Sequence, residues 1–270
     1  MTAARPSPPP PATPGAVTPC PLSAVIITFN EERNIARCLG SLSGVADDIV
    51  VVDSGSVDRT EEICRSHGVN FIRQAWLGYS AQKNLANGHA RNDWILSIDA
   101  DEALSGELKR SILGLKGEGM IRVCEFARMT NYCGHWVRHG GWYPDHKVRM
   151  FDRRTASWEG ALHEEPRGFS RSEVVRLKGD CLHYSYYTVE DHHRQADRFT
   201  TLAAGELFRR GRSAGIWRLH LGPVWKFVLD YLLRGGFLDG LAGFRIARIS
   251  AGATRMKYLK LDRLRRANPR

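Results

Sequence analysis

The stretch DWILSIDADE (residues 93–102) decides how the rest of the chain is read. Trp94, Ile95 and Leu96 make a short apolar run of the kind that forms a strand buried on both faces of a sheet. Three carboxylates, Asp99, Asp101 and Glu102, follow where that strand should end. Acids rarely crowd the end of a buried strand unless something positive is held there. On extended backbone, side chains two residues apart point the same way, so Asp99 and Asp101 can share one divalent ion. Hard oxygen ligands of this kind favour Mg²⁺ or Mn²⁺ over zinc. An isolated D-x-D would read as a solvated capping turn. Its place at a strand end, beside other acids, favours the metal.

Working outward, apolar runs alternate with helical patterns. Strands are expected at AVIIT (24–28), DIVVVD (48–53), VNFIR (69–73) and WILSID (94–99). Helices are expected at 31–42, with Ile35, Cys38, Leu39 and Leu42 on one face and Asn30 as the cap, and at DRTEEICRSHG (58–68), closed by Gly68. Further helices are expected at 80–90 and at 105–115, the last capped by Ser105. Strands and helices in alternation imply an α/β fold with a Rossmann-like, mostly parallel sheet flanked by helices. Sites on such sheets lie beyond the carboxyl ends of the strands. Asp53, Asp99 and Asp101, with Glu31 and Glu32, all fall at that edge. Asp53 is placed to meet a ribose hydroxyl or a base N–H. A dinucleotide fold would need a glycine-rich turn after the first strand, whereas the chain has TFNEERN (28–34). A nucleoside diphosphate across the sheet edge, its charge met by the metal, is the economical reading.

From about residue 120 the pattern changes. IRVCEFARMT (121–130) and KVRMFD (147–152) read as strands around NYCGHWVRHGGWYPDH (131–146), rich in Gly, aromatics and His. Trp142 and Tyr143 either stack on a sugar face or fill the bend at Gly140 and Gly141. Residues 190–210 and 216–250 read as helices. The net charge of +10 lies wholly in residues 211–270, which carry 13 Lys and Arg against 3 Asp. This basic helical extension calls for an anionic partner. A nucleic-acid module would leave the acidic strand ends without a role, so no nucleic acid is expected. In GPVWKFVLDYLLRG (222–235), Lys226, Asp230 and Arg234 make a polar stripe opposite a wide apolar face, which suits either a core helix or an interfacial one. The terminal RMKYLKLDRLRR (255–266) reads as an electrostatic tether to an anionic membrane. Residues 1–20 read as a disordered Pro-rich tail without the apolar stretch of an export signal. The six scattered cysteines form no C-x-x-C pair and read as reduced thiols.

Four blocks in order, AVIITFNEERNIARCLGSL (24–42), DIVVVDSGSVDRT (48–60), GYSAQKNLA (78–86) and DWILSIDADE (93–102), resemble the family 2 glycosyltransferases of the GT-A fold. GGWYPDHKVRMF (140–151), LHEE (162–165), LKGDCLHYSY (177–186) and GGFLDGLAGF (235–244) resemble the bacterial subgroup that adds glucose or a related hexose to the lipopolysaccharide inner core. The resemblance spans about residues 22–260. It implies a nucleotide-sugar-binding half at 21–120, an acceptor-binding half at 121–210 and the basic extension at 211–270. It implies that Thr28, Asn30 and Glu31 line the nucleoside pocket and that Asp53 contacts base or ribose. Lys83 would approach base or diphosphate, Asp99 the ribose and metal, and Asp101 would ligate the Mg²⁺ or Mn²⁺. Val57 stands where the family usually has Thr, with little effect expected because Asp53 and Asp58 remain.

An inverting transfer also needs a general base. The resemblance points to Glu164, with Asp145 as the other choice, and to His163 as a helper at diphosphate or metal; a hydrogen-bonded loop pair is the alternative for 163 and 164. The implied partners are a nucleotide-diphosphate sugar, in the first place a UDP-sugar, a glycolipid acceptor and the inner face of the cytoplasmic membrane. A sugar nucleotidyltransferase shares the topology but wants a basic, glycine-rich loop after the first strand. An anionic-polymer-binding protein is the non-enzymatic rival.

Overall fold

The computed structural model describes residues 20–119, 122–160, 164–213 and 215–268. The Pro-rich stretch 1–19 and His163 lie outside the described residues. Cys20 belongs to the folded part: its N–H donates to the Lys116 carbonyl, so the tail expectation fails at that residue.

Each expected strand of the first half forms, and for the expected reason. β1 (Leu22–Thr28), β2 (Asp48–Asp53), β3 (Asn70–Arg73) and β4 (Trp94–Asp99) pair in parallel in the order β3-β2-β1-β4. Alternate residues of β1 enter opposite cores. Leu22, Ala24 and Ile26 face one cluster with Ile35, Leu39 and Leu42 of α1 (Ile35–Leu42). Val25 faces another with Ala86 of α3 (Tyr79–His89). Helices therefore cover both faces, which is what strands apolar on both sides require. α2 (Thr60–Ser66) sits between β2 and β3 in the chain.

The second half extends the same sheet. β8 (Asp145–Asp152) pairs antiparallel with β4, and β6 (Cys124–Tyr132) antiparallel with β8. β11 (Val175–Tyr186) runs parallel to β6, and the short β5 (Glu102–Leu104) closes the row. β7 (His135–Trp136) pairs with β6, and β9 (Ser157–Glu159) with β10 (Glu165–Arg167) forms a separate hairpin. α4 (Gly106–Gly117) starts as expected, with Ser105 Oγ accepting from the Leu108 N–H. The result is a mixed α/β fold: a central sheet flanked by helices, parallel through β3-β2-β1-β4 and mixed beyond β4, with a helical C-terminal part.

Two expectations need correction. Asn30 is not a helix cap, for α1 begins only at Ile35. Asn30 has φ 53°, its N–H donates to Ser56 Oγ, and its Oδ1 accepts from the Val57 N–H. Those bonds lash the loop after β1 to the loop after β2. Val57 contributes only backbone there, and its side chain lies in solvent. The second correction concerns 216–250, which is not one helix. α5 (Val189–Arg209) is followed by α6 (Ile216–Phe227), which runs into a π-helical turn at Val228–Leu233, and α7 spans Gly240–Ala267. The chain reverses at Gly235, with φ 68°, and at Gly236, where a Cβ would meet the Asp230 carbonyl at 2.6 Å.

Asp239 pins this reversal to the sheet. Its buried carboxylate accepts the N–H groups of Arg138 and His139 and lies 3.3 Å from His135 Nε2. Burial alone would raise its pKa, but these donors hold it below the ordinary carboxylate value. Asp239→Ala is expected to cost about 2–4 kcal/mol by orphaning buried donors. Urea unfolding and faster proteolysis within residues 211–268 would report it.

Candidate active site

The parallel strands bring the first-half residues to one level. Thr28 lies in register with Asp53, and Ile27 with Asp99. Around Asp99 the expected positive partner proves to be protein. Its Oδ1 is 3.1 Å from Lys83 Nζ, and its Oδ2 accepts from Arg149 Nη2 at 2.9 Å. Arg149 also donates to Glu102 Oε1 at 3.2 Å, and Arg128 Nη1 lies 3.8 Å from the same oxygen. Glu102 is fully enclosed. Burial by itself would push the Asp99 carboxyl up. The Arg149 and Lys83 charges overcome it and hold the group well below the usual carboxylate range. Burial likewise opposes the charge on Arg149, but Asp99 and Glu102 raise its pKa above the ordinary guanidinium value.

Asp101 stands apart from this cluster. β4 ends at Asp99, and residues 100 and 101 form a turn closed by Glu102 Oε2, which accepts the Asp99 N–H at 3.0 Å. The extended backbone expected to aim Asp99 and Asp101 to one side is therefore absent. Asp101 Oδ2 meets His183 Nε2 at 3.1 Å. Burial disfavours a charged imidazole, yet Asp101 raises the His183 pKa above its ordinary value. Glu31 lies close enough to feel Asp101 and Asp58. Burial first, then those two anions, push its carboxyl up to about 7 against the Asn34 hydrogen bond. This corner thus gathers three carboxylates around Glu31, with His183 paired to Asp101.

Among the described residues, no three or more His, Cys, Asp or Glu side chains converge as a metal cage. Mg²⁺ and Mn²⁺ do not need one, since one or two carboxylates with water and phosphate oxygens suffice. Asp101, with Oδ1 outside the His183 contact and Glu31 raised beside it, fits such an ion.

The residues expected to face a nucleoside are tightly tied. Asp53 Oδ2 accepts the N–H groups of Gly55 and Ser56 at 2.9 and 2.8 Å, and Ser56 Oγ donates to Asp53 Oδ1. The carboxylate thus shapes the 53–56 turn at the sheet edge. Glu31 receives Asn34 Nδ2 at 2.8 Å, and its N–H donates to Thr60 Oγ1. Thr28 Oγ1 is buried with no hydrogen-bond partner among the described residues, which leaves an acceptor and a donor for a ligand.

Beside the Asp99 cluster the second half forms a cleft of about 550 Å³, lined by Lys83, Asp99, Arg149, Trp158 and Glu164 among others. Lys83 is the hinge of the arrangement. Only 4% of its side chain is open, and its Nζ lies 3.5 Å from Glu164 Oε1 and 4.4 Å over the Trp158 ring. Arg149 Nη1 and Trp158 Nε1 have no partner among the described residues and supply two buried donors at the cleft. Asp145 is differently placed: Arg128 Nη2 at 2.8 Å and Lys147 Nζ at 3.0 Å hold its carboxylate. Trp142 packs edge-on against Tyr132 and tilted against Tyr186, and the Tyr143 hydroxyl donates to Asp180.

Arg149, Glu102, His183, Arg128 and Trp158 are site groups to which the sequence analysis gave no role. Arg149 was open to detection: an Arg inside the run VRMF must be paired if that strand is buried. Nothing local in HYSY marks His183, which reaches Asp101 only because β11 lies next to β5.

Comparison with known proteins agrees with this geometry. The family described as glycosyl transferase family 2 matches residues 23–163. An uncharacterised glycosyltransferase of Rickettsia typhi is 30% identical over 256 residues, covering 90% of this chain and 86% of its own length. The lipopolysaccharide core biosynthesis glycosyltransferase LpsC of Rhizobium meliloti is 28% identical over 237 residues, covering 83% and 85%. Residues 1–349 of S. aureus TarS superpose with a TM-score of 0.45 at 14% identity, covering 92% of each chain. The chain belongs to glycosyltransferase family 2. It is a glycosyltransferase, built on the sheet edge described above.

The two aspartates should separate on substitution. Asp99→Asn is expected to destabilise the fold by about 2–3 kcal/mol, because it leaves Lys83 and Arg149 undercompensated. The figure sits at the lower end for a buried pair because 28% of the Asp99 side chain is open to the cleft. Asp101→Asn should lower the urea midpoint less than Asp99→Asn, because His183 can shed its proton and keep a hydrogen bond to the amide, and should weaken Mn²⁺-dependent UDP binding at least about tenfold by calorimetry. Equal stability loss in both variants would contradict the division.

Proposed function

We propose that the protein is an inverting hexosyltransferase that moves glucose or a related hexose from a UDP-sugar to a lipopolysaccharide-core glycolipid at the inner face of the cytoplasmic membrane. The observation that carries the reading is the position of Lys83, whose ammonium group bridges Asp99 at the donor strand end and Glu164 across the cleft. It joins a nucleotide side and an acceptor side within one side chain's reach. The similarity to LpsC, a lipopolysaccharide core biosynthesis glycosyltransferase, supports the acceptor class.

In this reading Thr28, Asn30, Glu31 and Asp53 frame the nucleoside, and the diphosphate lies toward Asp101. A divalent ion held by Asp101, with Asp99 behind it, would supply charge stabilisation for the departing diphosphate. The chain's own residues do the remainder. Glu164 accepts the proton of the acceptor hydroxyl as its oxygen bonds to the sugar C1. The C1–diphosphate bond breaks on the opposite face, and its electron pair leaves with the UDP. Lys83 lies between two carboxylates and orients Glu164. The Arg149 Nη1 and Trp158 Nε1 donors suit sugar or phosphate oxygens entering the cleft. Asp145 is less suited to be the base, because Arg128 and Lys147 already share its oxygens. His163 remains a helper by resemblance alone.

The test pairs a panel of UDP- and other nucleotide-sugars with membrane glycolipid extracts as acceptor. Glu164→Gln should lower the transfer rate about 10²–10⁴-fold with donor affinity nearly unchanged. Asp145→Asn should reduce turnover less. A Glu164→Gln enzyme of wild-type rate, beside an inactive Asp145→Asn, would move the base to Asp145.

A further inference from the structure

The helix α6 has an unusual environment for its composition. Seven of its twelve residues are Ile, Leu, Val, Phe or Trp, yet none is buried. Trp217 is 73% exposed and Trp225 57%, each well beyond what a monomer needs to leave in water. Trp217, Leu221, Val224 and Trp225 recur at steps of four, three and one, so they line one stripe of the helix. Leu232 continues it through the π turn, and Phe237 joins it after the chain reverses. The opposite side of α6 packs on α7: a Cβ on Gly222 would lie 3.7 Å from Thr254, and Phe227 stacks edge-on against Phe244. The polar stripe foreseen in the sequence is held together by ion pairs, with Asp230 buried and Lys226 and Arg234 partly open to solvent. Lys226 and Arg234 both pair with the buried Asp230, at 2.8 and 3.2 Å.

The same hairpin carries exposed positive charge. Arg218 is exposed on α6 itself, next in sequence to Trp217, and Arg248 is exposed on α7. The whole basic excess of the chain lies in residues 211–270. No helix among the described residues is long and apolar enough to cross a membrane. An exposed apolar stripe with tryptophans, on a basic hairpin and too short to span, is the signature of a helix lying in the interface plane.

We propose that α6 and the turn after it form an in-plane docking face for an anionic phospholipid bilayer. This rests on the glycolipid-acceptor reading and specifies the surface that serves it. The basic end of α7 then attracts at long range, while α6 inserts; Arg265 ties that end to the segment before α6 through the Arg212 carbonyl. The docking face is also coupled to the cleft. Gly140 N–H donates to the Arg234 carbonyl, and Asp239 holds the backbone of Arg138 and His139. That segment leads directly into β8, the strand that carries Arg149. A bilayer under α6 would thus sit beside the acceptor half.

The test uses the full chain and vesicles of phosphatidylethanolamine and phosphatidylglycerol in a flotation assay. Trp217→Ser with Trp225→Ser should lower partitioning at least about tenfold in both low and high salt, and Trp217→Tyr with Trp225→Tyr should restore most of it. Arg218→Gln with Arg248→Gln should remove only the salt-sensitive part. In the wild-type protein, lipids brominated near the head group should quench tryptophan fluorescence, a readout that needs no variant to fold. Wild-type partitioning by the double Ser variant, or no quenching by brominated lipid, would overturn the proposal. So would sedimentation showing a wild-type dimer that the Ser variant dissolves while vesicles stay unbound, since a second copy would then cover the face. UDP-sugar hydrolysis in the same preparations separates the two readings: vesicle binding without turnover would sink the UDP-sugar donor reading and leave the docking face standing.

Discussion

The Asp99–Arg149 ion pair is the constraint on which the rest of the site depends. Asp99 closes β4 in the first half, and Arg149 lies inside β8 of the second, so the pair fastens the two halves where their strands meet antiparallel. Both charges are largely withdrawn from water, a cost that geometry must offset. It does so by enlargement: Lys83 from α3, Glu102 after the turn and Arg128 from β6 complete a chain of alternating charges. Glu102 also takes the Asp99 N–H, so the same cluster fixes the turn that presents Asp101. Removing any member leaves an uncompensated neighbour. A well-packed apolar substitute would fill the volume but would not set where Asp101 and Glu164 stand.

That architecture explains which parts of the protein were legible in the sequence. The four strands of the first half were, because β-branched runs such as VVV and VII must be buried on both faces, and their carboxyl ends fell where expected; β6 and β8 lay two or three residues from expectation, and β11 was not foreseen. The edge carrying Thr28, Asp53 and Asp99 followed from the topology alone. The electrostatic partners were harder. Arg149 and His183 are far from Asp99 and Asp101 in the chain, and local pattern holds no information about which strand lies beside which. The break of the long C-terminal helix was written in Gly235 and Gly236, but apolar periodicity runs through both sides and hides it. The same periodicity cannot tell a core face from an exposed one, which is why α6 could be read either way until its neighbours were known.

The charges already spent inside the fold bear on the chemistry proposed for the cleft. A nucleoside diphosphate brings about two to three negative charges to an edge rich in acids. Lys83 and Arg149 cannot answer them in full, for each is committed to Asp99. Arg128 and Lys147 are committed in turn to Asp145. The corner of Asp101, Glu31 and Asp58 has only His183 set against Asp101 among the pairs described above, and there burial first, then repulsion, pushes Glu31 up to about 7. Adding a diphosphate there without a cation would raise that repulsion further. A divalent ion seated on Asp101 would reverse its sign, drawing Glu31 back toward its ionised form and the diphosphate toward the strand ends. The fold thus reserves its own cations for holding the two halves together. It leaves the charge of the leaving group to a partner that arrives with the donor.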